Sequence, residues 1–166
     1  MTAPVTILGI DPGLRRMGWG MIRIDGTRLS AVGHGVVTPP VNAALSIRLD
    51  HIFQAVTDLV TQYRPDEAAI EEAFMAANAA SALKLGHARA AALLAPARAG
   101  LPVAEYAARL VKKSVVGTGG ADKDQVAAMI SVLLPGTKAK ADEADALAVA
   151  ICHAHHRRSA SLGSVA

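Results

Sequence analysis

The sequence predicts an α/β domain, a five-stranded mixed sheet flanked by helices. Three observations carry this. Apolar runs of strand length recur five times along the chain. The first three follow one another across short turns. From Leu45 onward, strands alternate with stretches whose apolar residues recur every three or four positions. A chain of 166 residues suits one domain, and such a domain buries roughly 70% of its unfolded surface. Apolar residues make up 52% and aromatic residues 3%, so the core must be built from Ala, Val, Leu and Ile.

The first strand covers 5–10, nearly all apolar and therefore buried on both faces. It delivers Asp11 and breaks at once on Pro12-Gly13. A hairpin follows, with strands over 17–24 and 29–37 joined at Asp25-Gly26-Thr27. Pro39-Pro40 ends it. Leu45, Leu49, Ile52, Phe53, Val56 and Val60 share one side of an amphipathic helix. Pro65-Asp66 closes that helix, and 68–73 reads as a short buried strand. The alanine-rich stretch 78–99 reads as a helix that Pro96 kinks or ends. A fifth strand covers 102–106, and Gly117, Gly119 and Gly120 form a break. Asp122 with Gln125 spells a capping box before Val126, Met129, Ile130 and Leu133. A last helix runs over 140–156, where His153, His155 and His156 read as its frayed end. Residues 1–158 form a single domain, and 159–166 read as a disordered tail.

Lys and Arg number 17 against 14 Asp and Glu, a net charge of +3. That balance permits nucleic acid as a partner without requiring it. Cys152 is the one cysteine, so no internal disulfide forms, and a reducing, cytoplasmic setting is expected. The N-terminus lacks a basic-then-apolar leader. No run reaches the ~18 apolar residues of a membrane span.

Acids in unusual company carry the chemistry. Asp11 ends a buried strand, Glu71-Glu72 ends another, and Asp142, Glu143 and Asp145 open a helix that is apolar almost all round. Asp142 and Asp145 are three apart and share a face, whereas Glu143 lies about 100° away and has no site role. Each acid has an ordinary reading as well. Asp142 suits a helix N-cap, Asp11 an Asp-Pro-Gly turn, and Glu71 a strand-end charge. If the first and fourth strands are parallel neighbours, however, Asp11 and Glu71 meet at their carboxyl ends, where open α/β sheets bind ligands. Two carboxylates about 4 Å apart repel by roughly 4 kcal/mol at an effective dielectric of 20. A cluster of them must take up protons or cations. All-oxygen ligands select hard ions such as Mg²⁺ or Mn²⁺, and two such ions suit phosphodiester hydrolysis.

Four stretches, ILGIDPGLRRMGWG, AIEEAFMAANAASALKLGHARA, EYAARLVKKSVVGTGGADKDQV and ADEADALAVAICHAH, occur in that order. Together they resemble the RuvC family of bacterial Holliday-junction resolvases over nearly all of 5–157. The resemblance implies a ribonuclease-H-like fold, with Asp11, Glu71, Asp142 and Asp145 as the catalytic, metal-binding carboxylates. It selects Glu71 over Glu72. It implies that Phe74 acts near the junction crossover and that Lys112 and Lys123 contact DNA beside the active site. Arg109 and Lys113 are further candidates for phosphate contact, while Lys84 and Arg89 are left open. It also implies Mg²⁺, with Mn²⁺ an alternative, at two ions per active site. The expected reaction is paired symmetric nicking of four-way DNA junctions, leaving 5′-phosphate and 3′-hydroxyl ends, in recombination and repair. The expected assembly is a homodimer through the 78–99 helix that works with the RuvA–RuvB branch-migration complex. Two rival readings are an actin-like nucleotide-binding protein, which needs a second lobe, and a non-catalytic junction-binding protein, which has no use for four acids.

Overall fold

The computed structural model describes residues 2–72 and 77–163, with side chains as far as Arg157. Strands β1 (Val5–Asp11), β2 (Met17–Asp25) and β3 (Arg28–Val37) come first, followed by helix α1 (Leu45–Tyr63). Then come β4 (Glu67–Glu72), α2 (Ala79–Arg98), β5 (Val103–Ala107), α3 (Ala108–Val116), α4 (Lys123–Leu133) and α5 (Ala141–Gly163). The sheet order is β3-β2-β1-β4-β5. The hairpin strands pair antiparallel, and β1–β4 and β4–β5 pair parallel. The β2–β3 turn needs a left-handed residue, and Gly26 supplies it at φ 60°.

The pleat sorts each strand between two cores. Leu8 and Ile10 of β1 and Ala68 and Ile70 of β4 pack with α1 and α2, through Ile52, Val56, Ala88 and Ala92. Ile7 and Ala69 face the opposite layer, where α5 lies with α3 and α4 around it. By the same alternation Asp11 and Glu71 project to the α5 side and Glu72 to the other. Ile10 pairs with Ile70, so the next residues, Asp11 and Glu71, stand side by side.

Helix α5 rests directly on the sheet. Along 146–154 its residues are buried, all of them apolar except His153. A Cβ on Gly9 would overlap the Ala146 carbonyl oxygen, and one on Gly18 the Asp142 carbonyl oxygen. Glycine on the strands and alanine on the helix therefore bring two backbones together, with no side-chain layer between.

Several expectations change. Helix α3 was not anticipated as an element, although Val111 and Val115 mark its buried face. In α1, Leu59 is buried and Leu45 is exposed, the reverse of the expected stripe. Pro96 sits in the last turn of α2, which ends two residues on at Arg98. There its carbonyl accepts from Leu101 N at 3.1 Å. Helix α5 continues past His156 to Gly163, through positions expected to be tail.

His153 is not part of a frayed end. It is 7% exposed and joined to both flanking strands. Its Nδ1 lies 2.7 Å from the Tyr106 hydroxyl and its Nε2 2.6 Å from Glu67. Arg157 adds a two-pronged ion pair to Glu67. Burial pushes the Tyr106 phenol up to about 12, so it keeps its proton and donates. Burial lowers His153 even against the pull of Glu67, and one neutral tautomer satisfies both neighbours.

A methyl group at Gly9 has nowhere to go. Gly9→Ala is expected to lower stability by about 1–3 kcal/mol, read from urea denaturation at neutral pH. A variant as stable as the parent would mean that α5 does not lie against β1.

Candidate active site

A cavity of about 230 Å³ opens at the carboxyl ends of β1 and β4. Asp11, Glu71 and Asp145 line it, with Lys112 of α3 and Lys123 of α4 on the opposite wall. Each side chain is there for a local reason. Asp11 and Glu71 are placed by the parallel register. Lys112 follows the buried Val111 on α3. Lys123 is the first residue of α4, whose start is fixed by the expected capping box. Gln125 N donates to Asp122 at 2.8 Å, and Asp122 N donates to Gln125 at 2.9 Å.

Asp142 is not the N-cap of α5. The Ala144 N–H bonds the Lys140 carbonyl at 2.9 Å, and Glu143 caps in return by accepting from Lys140 N at 2.9 Å. Glu143 also faces His34 at 3.3 Å. Asp142 is left to meet Arg16, whose Nε lies 2.8 Å from its carboxylate. Lys123 stands 3.8 Å from Asp145. The Lys123 side chain is largely exposed, so solvent screens that pair and it adds little to stability. Among the described residues, no three His, Cys, Asp or Glu side chains converge closely enough to hold one metal ion.

The acids nevertheless feel one another. Burial raises Asp145 above the usual carboxylate range, with Lys123 opposing and Asp142 adding to the rise. Burial and then Asp145 raise Glu71, while Lys112 and Lys123 pull it down. Asp11 is pushed up to about 8, first by burial and then by Glu71, Asp145 and Asp142. The donors lining the cavity are all hard oxygens, a donor chemistry that suits Mg²⁺ or Mn²⁺.

The remaining sequence candidates divide. Arg109 and Lys113 are exposed on α3 and do not line the cavity. Phe74 lies outside the described residues. Two residues gain roles the sequence reading did not give them. Arg16 holds Asp142. Arg89 of α2 donates to the Glu71 carbonyl at 3.3 Å and pairs with Glu105 of β5, which ties down the end of β4. The signal for Arg16 was present, a basic pair in the turn straight after Asp11. A larger cavity of about 680 Å³, between β3 and residues 132–137, holds no acid.

A ribonuclease-H-like sheet with carboxylates on β1, β4 and the crossing helix defines a nuclease of that fold. The chain belongs to the RuvC family, since the model described as "Crossover junction endodeoxyribonuclease RuvC" matches residues 7–153. A protein of that name from Maricaulis maris is 80% identical over 166 residues, all of both chains. Another from Caulobacter vibrioides is 61% identical over 155 residues, 93% of this chain and 92% of its own. The structure of Thermus thermophilus RuvC in complex with a Holliday junction substrate superposes with a TM-score of 0.88 at 31% identity. It covers 95% of this chain and 97% of that one.

The Asp11 carboxyl makes stability depend on pH. Its ordinary value is 3.8 and its folded value about 8. Between the two, the folded protein keeps a proton that the unfolded chain releases. The stability present below about pH 4 is therefore lost as pH rises toward 8 and changes little above it. With chelator present, Asp11→Asn is expected to gain on the parent across this window, by the order of a few kcal/mol at pH 8. Urea denaturation between pH 4 and 9 reads the gain, and parallel profiles for the two proteins would contradict the placement of Asp11.

Proposed function

We propose that the chain resolves four-way DNA junctions by hydrolysing one phosphodiester on each of two opposed strands. The observation that carries this is the cavity shared by Asp11, Glu71 and Asp145 with Lys112 and Lys123 facing them. Acids there suit cations, and lysines there suit phosphates. Asp11, Glu71, Asp142 and Asp145 would hold Mg²⁺ or Mn²⁺, at two ions per site. Bound ions would supply an activated water and neutralise charge on the scissile phosphate. The protein's own residues do the rest. Lys112 and Lys123 orient the phosphate and offset the repulsion between the acids and the strand. The apolar wall from Val111 and Val126 limits water in the cavity. Arg89 keeps Glu71 at a fixed height on β4. No acid serves as a covalent nucleophile; water attacks the phosphorus and the 3′ oxygen departs, so one displacement leaves a 5′-phosphate and a 3′-hydroxyl. Phe74 would stack on a base near the crossover, with Arg109 and Lys113 outside the cavity as secondary phosphate contacts.

Two-fold symmetric cutting asks for two sites related by a dyad. Helix α2 supports a homodimer. Leu83 and Leu94 are exposed on it by 64% and 53%. Gly86, with open space where its Cβ would be, and the exposed Ala90 lie between them on the same helical face. A second copy covering that stripe would bury it. The working partner is the RuvA–RuvB branch-migration complex and the setting the bacterial cytoplasm. Among the described residues, no helix is long and apolar enough to cross a membrane.

A nicking assay on a mobile four-way junction, with Mg²⁺, Mn²⁺ and chelator compared, tests the reading. Cleavage should need the divalent ion. Asp11→Asn, Glu71→Gln and Asp145→Asn should each slow it about a hundredfold or more, while junction binding in chelator persists. Loss of binding would count against a cation site. Lys112→Ala and Lys123→Ala should weaken cleavage, and each should lower the salt dependence of binding by about one charge. Leu83→Glu with Leu94→Glu should yield monomers in sedimentation equilibrium; an intact dimer would place the interface elsewhere.

A further inference from the structure

The turn that carries Asp11 into β2 has a second side. There a separate cavity of about 490 Å³ is lined by Arg15 and Arg16 of the turn, Arg48 of α1, and Ser81 and Lys84 of α2. No acid is among its lining residues. Four cationic side chains thus share one depression while the nearby carboxylate, Asp142, lies beyond its rim on Arg16. Arg48 is built in. Its Nη2 donates to the Leu14 carbonyl at 2.8 Å, and its Nε is buried with no hydrogen-bond partner. A buried N–H of a charged group left unpaired is costly, and the guanidinium that carries it belongs to a residue lining the cavity. Arg15 and Lys84 are exposed at the mouth and can reach a ligand without unpacking the core.

Like charges gathered this way call for an anion with several charges in a row. The place of the cavity says which one. Arg16 lines the basic groove and pairs with Asp142, in the same first turn of α5 that carries Asp145 into the acidic cavity, so a strand with one phosphate over Asp11 and Glu71 would carry its neighbours across the turn. We propose that Arg15, Arg16, Arg48 and Lys84 form a phosphodiester subsite for the DNA strand flanking the cleaved bond. This rests on the junction-cutting reading and extends it with a grip outside the acidic cavity. Arg16 has a double part, since its guanidinium can serve Asp142 or a phosphate but not both in full.

The test measures junction binding by the full chain in chelator across a salt series. Arg15→Ala combined with Lys84→Ala should weaken binding at least tenfold and reduce the slope of log affinity against log salt by about 1.8. The charge-conserving pair Arg15→Lys with Lys84→Arg should keep the parental slope, and Lys84→Ala alone should remove about half the change. Melting curves matching the parent exclude unfolding, since both side chains are exposed. An unchanged slope in the double alanine variant overturns the proposal. Inorganic phosphate that competes with junction DNA for the parent but not for the variant supports it, because the two anions then share the groove. The two readings fail separately. A parent that cuts junctions with Mg²⁺ while the slopes coincide sinks only the groove. A slope reduced in the variant, with a parent that never cuts, sinks only the cleavage reading.

Discussion

The close seating of α5 on β1 and β2 is the constraint from which the rest follows. With a layer of ordinary side chains between them, two packed elements stand about 10 Å apart. Here Gly9 against Ala146 and Ala150, Gly18 against the Asp142 backbone and Gly20 against Leu147 remove that layer. The first turn of α5 is thereby lowered onto the ends of β1 and β4. Asp145 enters the cavity that Asp11 and Glu71 already border. The same seating removes water, and burial is the first cause of the raised pKa at all three. Geometry and electrostatics at the site thus have one origin.

Crowded acids destabilise a fold, and this one offsets them with cations delivered from three directions. Arg16 comes from the β1–β2 turn, Lys112 from α3 and Lys123 from the capped start of α4. None of these pairs is deeply buried, so none is bound too tightly to give way. A phosphate or a divalent ion can take over the partner of either side. A buried, fully paired ion cluster would resist such an exchange, because breaking it would strand a charge in a low dielectric.

Away from the cavity, between α5 and the strands β4 and β5, the polar groups behave in the opposite way. Tyr106, His153, Glu67 and Arg157 form a chain in which each donor meets an acceptor. The chain fastens α5 to β4 and β5 two turns beyond Asp145. Both β4 and α5 are pinned there, Glu67 and His153 serving as the pins. Their other ends bear Glu71 and Asp145. One end of the layer is fixed by satisfied hydrogen bonds, and the other is left with charges that await a ligand.

The chain by itself determined the elements whose signal is local. The Asp25-Gly26-Thr27 hairpin, the Asp122–Gln125 capping box and the apolar period of α1 are each written within a few residues, because turns, caps and helical faces are short-range effects. The pairing of Asp11 with Glu71 was also within reach, since a parallel register needs only two strand ends. Tertiary structure decided the rest. Glu143 caps α5 and frees Asp142 for Arg16, a partner 126 residues away. His153 reads as a helix end until Tyr106 and Glu67 surround it. Nor could local spacing separate Lys112, which faces the cavity, from Lys113, which does not. Such choices depend on which surfaces meet, and that is fixed by the packing of distant segments rather than by the order of neighbours along the chain.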